Sequence, residues 1–282
     1  MRVAVVTDSM ADLPREMAEE HGVSIVPLTV IFGEETFLDG VDMNSHAFFT
    51  RLKTSSVMPS TSQPSPADFI QVYDNLLKTH DHIVSVHASH KLSGTYQSAC
   101  IARDTLESRA IDVVDSKQVT MCEGLAVLDA ARAAQRGASR EEVCEAVSRV
   151  AGSVQLLFTV DTLEFLERNG RIGKAASLLG TLLSIKPIIH LEDGEVAPVD
   201  KVLGARRLLP RAIELMDKAI GGSRAICAAV LHADAQEKAE EWKGEIEKKF
   251  KCEELIVAEV GPVVGTHAGP GAVGVAWHPC MS

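Results

Sequence analysis

Short β-branched apolar runs that end in polar turns, each followed by a stretch of helical period, recur along nearly the whole chain. That alternation leaves few architectures open. Val3 to Thr7 ends in Asp8-Ser9 and gives way to a helix-like stretch from Leu13 to Glu20. Ile83 to Val86 leads into HASHKLSGTYQSA, where Ser93 and Gly94 introduce a helix carrying Tyr96, Ala99, Ala102 and Leu106. Ala110 to Val114 ends in Asp115-Ser116. Strands separated in this way by helices build a mainly parallel sheet with helices on both faces. The two Asp-Ser pairs mark equivalent strand ends in one doubly wound sheet and are not a sequence repeat.

The segments between follow local chemistry. Val23 to Phe32 is apolar but interrupted by Pro27, so it is either an edge strand or two short ones. Ser45 to Leu52 reads as a short helix, and LKTSSVMPSTSQPSPAD, which has no apolar period, as a loop of hydroxyl residues. That loop ends in a helix start, with Ser65 as N-cap, Pro66 at the first position and Asp68 in the first turn. Glu123 to Arg136 and Ser139 to Val150 are helices, the second opened by a Ser139/Glu142 capping box. Gly152 marks the expected boundary between an N-terminal α/β domain, residues 1–152, and a C-terminal α/β domain, residues 153–282.

In the second half, Val154 to Val160 is a strand, Thr162 to Glu167 a short helix and Ala175 to Leu183 a small-residue helix. Lys186 to Leu191 and Glu195 to Val199, separated by Glu192-Asp193-Gly194, read as a hairpin, so this half carries a mixed sheet. Helix, strand, helix and strand follow over Arg206 to Val260.

With 282 residues, 46% of them hydrophobic, the chain can bury two cores. A net charge of −11 excludes a nucleic-acid surface and adhesion to anionic headgroups as general properties. The opening MRVAVVTDS is strand-like, and no apolar run approaches a membrane span. A cytoplasmic protein without stable membrane insertion is expected. Six scattered cysteines without a CxxC pair argue for reduced thiols and against structural zinc.

The chemistry concentrates near the C-terminus. GPVVGTHAGPGAVGV, residues 261 to 275, holds five glycines and two prolines around His267, and reads as a loop anchored at a sheet end by the strand GAVGVAWH. It is either a tight crossover whose histidine satisfies the main chain or a ligand site. Thr61 with Ser62, and Ser93 with Gly94, place hydroxyls ahead of helix starts, where free N–H groups favour an anion such as a carboxylate. Alternatively Ser93 is a nucleophile with His267 as base and Asp8 or Asp115 as orienter, a serine hydrolase or esterase, although the GxSxG elbow is absent. The P-loop pattern is absent too, so LERNGRIGK gives no nucleotide site. His80/His82 and His87/His90 lack partners for a metal and are expected at the surface or at strand edges. Around NGRIG and the next helix start, Arg168, Arg171, Lys174, Lys201, Arg206, Arg207 and Arg211 form a basic patch suited to an acidic partner or a phosphate.

Taken together, VVTDSMADLP, TSQPS, KLSGTYQSA, NGRIG, KPII and GPVVGTHAGPGAVGV, in this order along the whole chain, resemble the DegV family of bacterial fatty-acid-binding proteins. The resemblance implies two α/β domains with a long-chain fatty acid between them and no other cofactor. It places the carboxylate on Thr61, Ser93 and His267, with Ser62 and Gly94 beside them. It implies no turnover by the chain itself. An ATP-dependent fatty acid kinase would phosphorylate the presented carboxylate, and an acyltransferase would use the acyl phosphate for phospholipid synthesis. Arg171 lies where the family has a partner-facing arginine, and with Arg206 it is the expected kinase-docking pair. Asn169 replaces the first glycine of that turn, and Leu203 in KVLG stands where arginine is frequent. Burying roughly fifteen methylenes at about 0.8 kcal/mol each gives on the order of 12 kcal/mol before association costs, so the tail dominates affinity and the carboxylate contacts set orientation.

Overall fold

The computed structural model describes residues 2–180, 185–222 and 225–280. The first half runs β1 (Val3–Asp8), α1 (Arg15–Glu20), β2 (Val23–Val26), β3 (Thr29–Phe32), β4 (Glu35–Leu38), α2 (Ser45–Thr54), β5 (Ser60–Ser62) and α3 (Pro66–Leu77). It continues through β6 (His82–His87), α4 (Thr95–Thr105), β7 (Ile111–Asp115), α5 (Met121–Gln135) and α6 (Arg140–Ser153). The second half comprises β8 (Gln155–Thr159), α7 (Glu164–Arg168), β9 (Ile185–Glu192), β10 (Glu195–Leu203), α8 (Leu208–Ile220) and β11 (Ile226–His232). It closes with α9 (Gln236–Lys249), β12 (Cys252–Glu259), α10 (Pro262–Ala268) and β13 (Val273–Pro279).

A four-stranded parallel sheet in the order β2-β1-β6-β7 organises the first half. Its strands alternate strictly. Ala4 and Val6 of β1, with Ile83 and Ile111, face Phe69 and Tyr73 of α3 and Ala99 and Ala102 of α4. Val3 and Val5, with Val84 and Val86, face α5 and α6 on the other side. The sheet is therefore doubly wound, and Asp8 and Asp115 end β1 and β7 at the same edge of it.

Pro27 sits where the apolar run 23–32 turns a corner. β2 stays in the parallel sheet, while β3 leaves it for a three-stranded antiparallel sheet, β4-β3-β5. β5 lies in the segment expected to be a loop, with Thr61 paired to Val30. Its side chains carry no apolar alternation, so its strand character comes from main-chain pairing to β3 alone. The expected Ser139/Glu142 capping box forms, and the Ser65 N-cap proves to be a capping box as well, with Asp68.

The second half forms a six-stranded mixed sheet, β10-β9-β8-β13-β11-β12, in which β11 and β12 are parallel and the other pairs antiparallel. β9 and β10 make the expected hairpin. Asp193 and Gly194, with φ of 49° and 80°, supply the positive φ that a two-residue turn of matching twist demands. The helix expected over 175–183 is a 3-10 helix at Gly173–Leu178, and the last part of that expectation, 181–183, lies outside the described residues.

α5 sits between the two large sheets, which explains its sequence. MCEGLAVLDAARAAQ is apolar on nearly every face, and eleven of its fifteen residues are buried. The resulting cluster joins Val5 and Val84 of the parallel sheet to Ala229, Ala258 and Ala276 of the mixed one. The outer face of the mixed sheet is closed by α8 and α9 through Met216, Trp242 and Ile246.

Candidate functional site

Loops leaving the C-terminal ends of β1, β6 and β7 meet α10 and the inner face of β8, β9 and β10 around a cavity of about 90 Å³. Met10 follows β1, Leu92 and Ser93 follow β6, and Val119 and Thr120 follow β7. This carboxyl edge is where open α/β sheets hold ligands. Opposite lie Leu156, Phe158, Ile189, Leu191 and Val196, and α10 contributes Val263, Val264 and His267. The wall is mostly apolar; Thr61, Gln63, Ser93 and His267 gather where β5, α10 and the β6–α4 loop converge, while Thr120, Arg171 and His190 line it from the loop after β7, the turn after α7 and β9.

The stretch 261–275, expected as a loop, opens instead with a helix. Gly261 is extended, Pro262 fills the first helical position, and Gly269 ends the helix at φ 73°. Its glycines serve packing as much as turning. A Cβ on Gly265 would stand 2.8 Å from Phe49 Cζ and 3.0 Å from Phe48 Cε1, and one on Gly269 would overlap the Phe165 ring. The high glycine density hid a helix that must lie close against aromatic rings.

His267 lies in the last turn of α10, and its Nε2 is 3.0 Å from Thr61 Oγ1. Its Nδ1 is buried and unpartnered. Burial, and secondarily the Arg171 charge, push the imidazole down to about 4, so the ring is neutral at pH 7. A neutral imidazole has one donor and one acceptor nitrogen.

Ser93 Oγ is 2.8 Å from Thr95 Oγ1 and accepts the Thr95 N–H at 3.3 Å, while Gly94 is the N-cap of α4. Thr61, Ser93 and His267 thus line one cavity, with Arg171 beside them. Arg171 donates from Nε to the Leu92 carbonyl at 3.2 Å and from Nη1 to the Asn169 carbonyl at 2.7 Å, tying the β6–α4 loop to the turn after α7. Ser62 is exposed and turns its hydroxyl to the Gln63 carbonyl, and neither it nor Gly94 lines the cavity. Arg206 lies exposed outside the cavity and makes no ion pair among the described residues. Several of its basic neighbours are neutralised, Arg168 by Glu164, Lys174 by Glu192 and Arg211 by Asp200.

Two features escaped the sequence. Gln63 of TSQPS also lines the cavity, and its amide fits only because Gly94 has no side chain: a Cβ there would lie 2.8 Å from Gln63 Nε2. Behind α10 lies a group of buried carboxyls. Asp12 Oδ1 accepts the Gly261 N–H at 2.8 Å and its Oδ2 is 2.6 Å from Thr120 Oγ1. Asp39 lies near Ser9 and the Val263 N–H, and its Oδ2 is buried without a hydrogen-bond partner among the described residues. Burial raises Asp12 to about 8 and Asp39 to about 7. Both Asp12 and Thr120 hold positive φ, 49° and 53°, which only a firmly packed turn sustains.

The hydrolase geometry is missing from this arrangement. No hydrogen bond joins Ser93 to His267, and His267 Nδ1 has no carboxylate on it. A chain of the right residue types does occur elsewhere, Asp8 Oδ2 to His87 Nδ1 at 2.9 Å and His87 Nε2 to Ser85 Oγ at 2.7 Å, with Tyr73 donating to Ser85. All four residues are 0% exposed, so it is a core network, and His87 is not the surface histidine expected. His90, by contrast, is exposed and paired with Asp115. Among the described residues no three His, Cys, Asp or Glu side chains are grouped to hold a metal, and no helix is long and apolar enough to cross a membrane.

A family model described as "Uncharacterised protein, DegV family" matches residues 2–279. A DegV domain-containing protein of Caldanaerobacter subterraneus is 35% identical over 97% of this chain and 98% of its own length. Among solved structures, a fatty-acid-binding DegV family protein from Thermus thermophilus superposes with a TM-score of 0.95 at 34% identity, over 99% of this chain and 100% of that one. DegV of Bacillus subtilis, described as a fatty acid binding protein, gives 0.90 at 33% identity over 99% and 100%.

Proposed function

The chain belongs to the DegV family, and from that premise we propose that it carries a long-chain fatty acid between its halves, 1–152 and 153–282, without turning it over. The observation that carries the proposal is the Thr61–His267 pair at 3.0 Å, with its covered and unpartnered Nδ1, standing among apolar walls. One proton joins Thr61 to the neutral His267 ring, so a carboxylate seated there would receive the Ser93 hydroxyl and either the His267 Nδ1–H, with Thr61 donating to Nε2, or the Thr61 hydroxyl, with Nε2–H donating to Thr61. Arg171 would add charge without direct burial of an ion pair. Neutral His267 favours this role, since it can donate one proton to a carboxylate without the desolvation cost of an imidazolium.

The tail would run along Leu156, Phe158, Ile189 and Leu191. At about 30 Å³ per water in the liquid, a cavity of about 90 Å³ holds on the order of three waters, so a long acyl chain must part these walls as it enters. The apolar area it covers supplies the driving force. The relatives known to bind fatty acids support the ligand class.

We further propose that the carboxylate is presented to an ATP-dependent fatty acid kinase in the cytoplasm, with Arg171 and Arg206 at the docking face and the acyl phosphate passing to an acyltransferase for phospholipid synthesis. The absence of an ion pair to Arg206 among the described residues of this acidic chain supports a docking role. Mass spectrometry of denatured protein purified without added lipid tests the carrier. A co-eluting long-chain fatty acid is expected, and its absence together with failure to bind one on titration would overturn the assignment. Docking is tested by kinase-dependent acyl phosphate formation, which Arg206→Glu should reduce while lipid retention stays unchanged.

A further inference from the structure

At the end of the mixed sheet away from α10, Cys227 of β11 and Cys280, one residue beyond β13, bring their Sγ atoms to 2.8 Å. The strand register explains the approach. Cys227 lies opposite His278, which makes Cys280 its diagonal neighbour on the same face, and the Cys280 N–H donates to the Ala225 carbonyl at 2.8 Å to keep the strands paired to that point. Both thiols are half-buried, whereas Cys100 and Cys122 are buried. Cys252, on the adjoining strand, packs with the cluster under α8 and α9.

We propose that Cys227 and Cys280 are a redox-reversible pair that closes into a disulfide on exposure to a small-molecule disulfide. All six cysteines are free in the resting protein, as the reducing compartment expected from the sequence requires. In the first step the Cys280 thiolate attacks one sulfur of the oxidant, forming a mixed disulfide and expelling one small thiolate. In the second, the Cys227 thiolate attacks the Cys280 sulfur and expels the other. Two protein thiols and one small disulfide become one protein disulfide and two small thiols. The order follows from the sites. Burial first, and the neighbouring Cys280 sulfur second, push the Cys227 thiol up to about 12, so it does not start the reaction. Once Cys280 is capped, the second of those causes is gone and Cys227 is already in contact with its target.

The bond would close a loop between residues 53 apart, which contains α9, β12 and the whole of α10 with His267. Stapling a loop of that length restricts the unfolded chain strongly, and a rise in Tm on the order of 5–10 °C is expected. The experiment incubates the purified full chain with oxidised glutathione at pH 8, alkylates the remaining thiols, and maps disulfides by non-reducing mass spectrometry. A Cys227–Cys280 linked peptide that dithiothreitol removes, accompanied by a Tm rise absent from Cys227→Ser and Cys280→Ser, is the expected result. Persistent glutathione on Cys280, a bond to Cys252 instead, or no oxidation of either residue would each overturn the proposal. Because the peptide map is made on the unmutated chain, it decides the matter even if a variant does not fold.

Discussion

Replacing Gly265 by alanine asks whether the close approach of α10 to the aromatic core is what positions the candidate site. The new Cβ would sit 2.8 Å from Phe49 Cζ, and ordinary contact begins near 3.4 Å, so something must yield by about 0.6 Å (3.4 − 2.8). Phe48 and Phe49 are 0% and 1% exposed and already pack edge-on with centroids 5.0 Å apart, so neither ring has free space to enter. Overpacking of this kind costs about 1–3 kcal/mol. Alanine over glycine inside a helix returns up to about 1 kcal/mol, leaving a net loss of about 0–2 kcal/mol, or a fall in Tm of up to about 8 °C.

If α10 is the element that yields, His267 moves with it. A shift of about 0.6 Å carries the 3.0 Å Thr61–His267 contact beyond hydrogen-bonding distance, a loss of about 1 kcal/mol or roughly fivefold in affinity for an acid held by that pair. The assay is a thermal melt with mass-spectrometric measurement of retained fatty acid, repeated with Phe49→Leu in the same background. Removing ring atoms should restore part of both, with a coupling above about 0.5 kcal/mol. If Gly265→Ala instead raises Tm and leaves retention untouched, only helix propensity is at work and the positioning argument fails.

Thr61→Val keeps the shape but removes the hydroxyl that partners His267 Nε2, so retention should fall by roughly five- to tenfold and, with a buried ring nitrogen left unpaired, stability by about 1–3 kcal/mol; equal retention would detach Thr61 from the ligand. Acid sensitivity should show in urea denaturation from pH 7 to pH 4. His267 titrates near 4 when folded against an ordinary 6.5, so the unfolded chain takes up the proton first and stability is lost as pH falls through that window, by about 3 kcal/mol for some 2.5 units (6.5 − 4). His267→Gln should lose this fall, and parallel curves for the two proteins would refute it. Asp12 has the opposite sign: with its carboxyl raised to about 8, the folded chain keeps a proton that the unfolded chain sheds, so stability declines as pH rises from about 4 to 8. Asp12→Asn mimics the protonated acid in both the folded and the unfolded chain, so it should melt close to the parent near pH 4 and above it at pH 7, where the unfolded parent has shed its proton. Asp12→Ala, which strands Thr120 Oγ1 and the Gly261 N–H, should cost about 2–4 kcal/mol, and similar melts for the two variants would show that these bonds do not matter.

The doubly wound sheet was legible because its strands alternate and its helices announce themselves, as at Ser65-Pro66 and Ser139-x-x-Glu142. β5 was not, because an edge strand of Ser60, Thr61 and Ser62 is defined by main-chain bonds to β3 and leaves no apolar signature. α10 was hidden for the opposite reason. Glycine is a poor helix former, and only the nearness of Phe48 and Phe49 shows why Gly265 must be there. Thr61 and Ser93 could be named as hydroxyls ahead of helix starts and His267 as the imidazole of a glycine-rich stretch, but Gln63 could not, since its amide reaches the cavity only over the bare Cα of Gly94.

The buried carboxyls give α10 a role that the ligand groups alone do not explain. Asp12 takes the Gly261 N–H at its start, with Asp39 beside it near the Val263 N–H, and His267 stands in its last turn. A helix of seven residues has too few internal bonds to be stable by itself, so its position is set at the two ends. At one end the carboxyls belong to the loops after β1 and β4, and at the other the imidazole meets Thr61 of β5. The helix that follows β12 of the second half is therefore held at both ends by groups of the first. A ligand that parts the cavity walls must strain those attachments or leave them intact by moving β8 and β9 instead. The latter is the softer route, because among the described residues β8 and β9 share a register of a single residue pair, Phe158 with Ile189, and both of those side chains line the cavity.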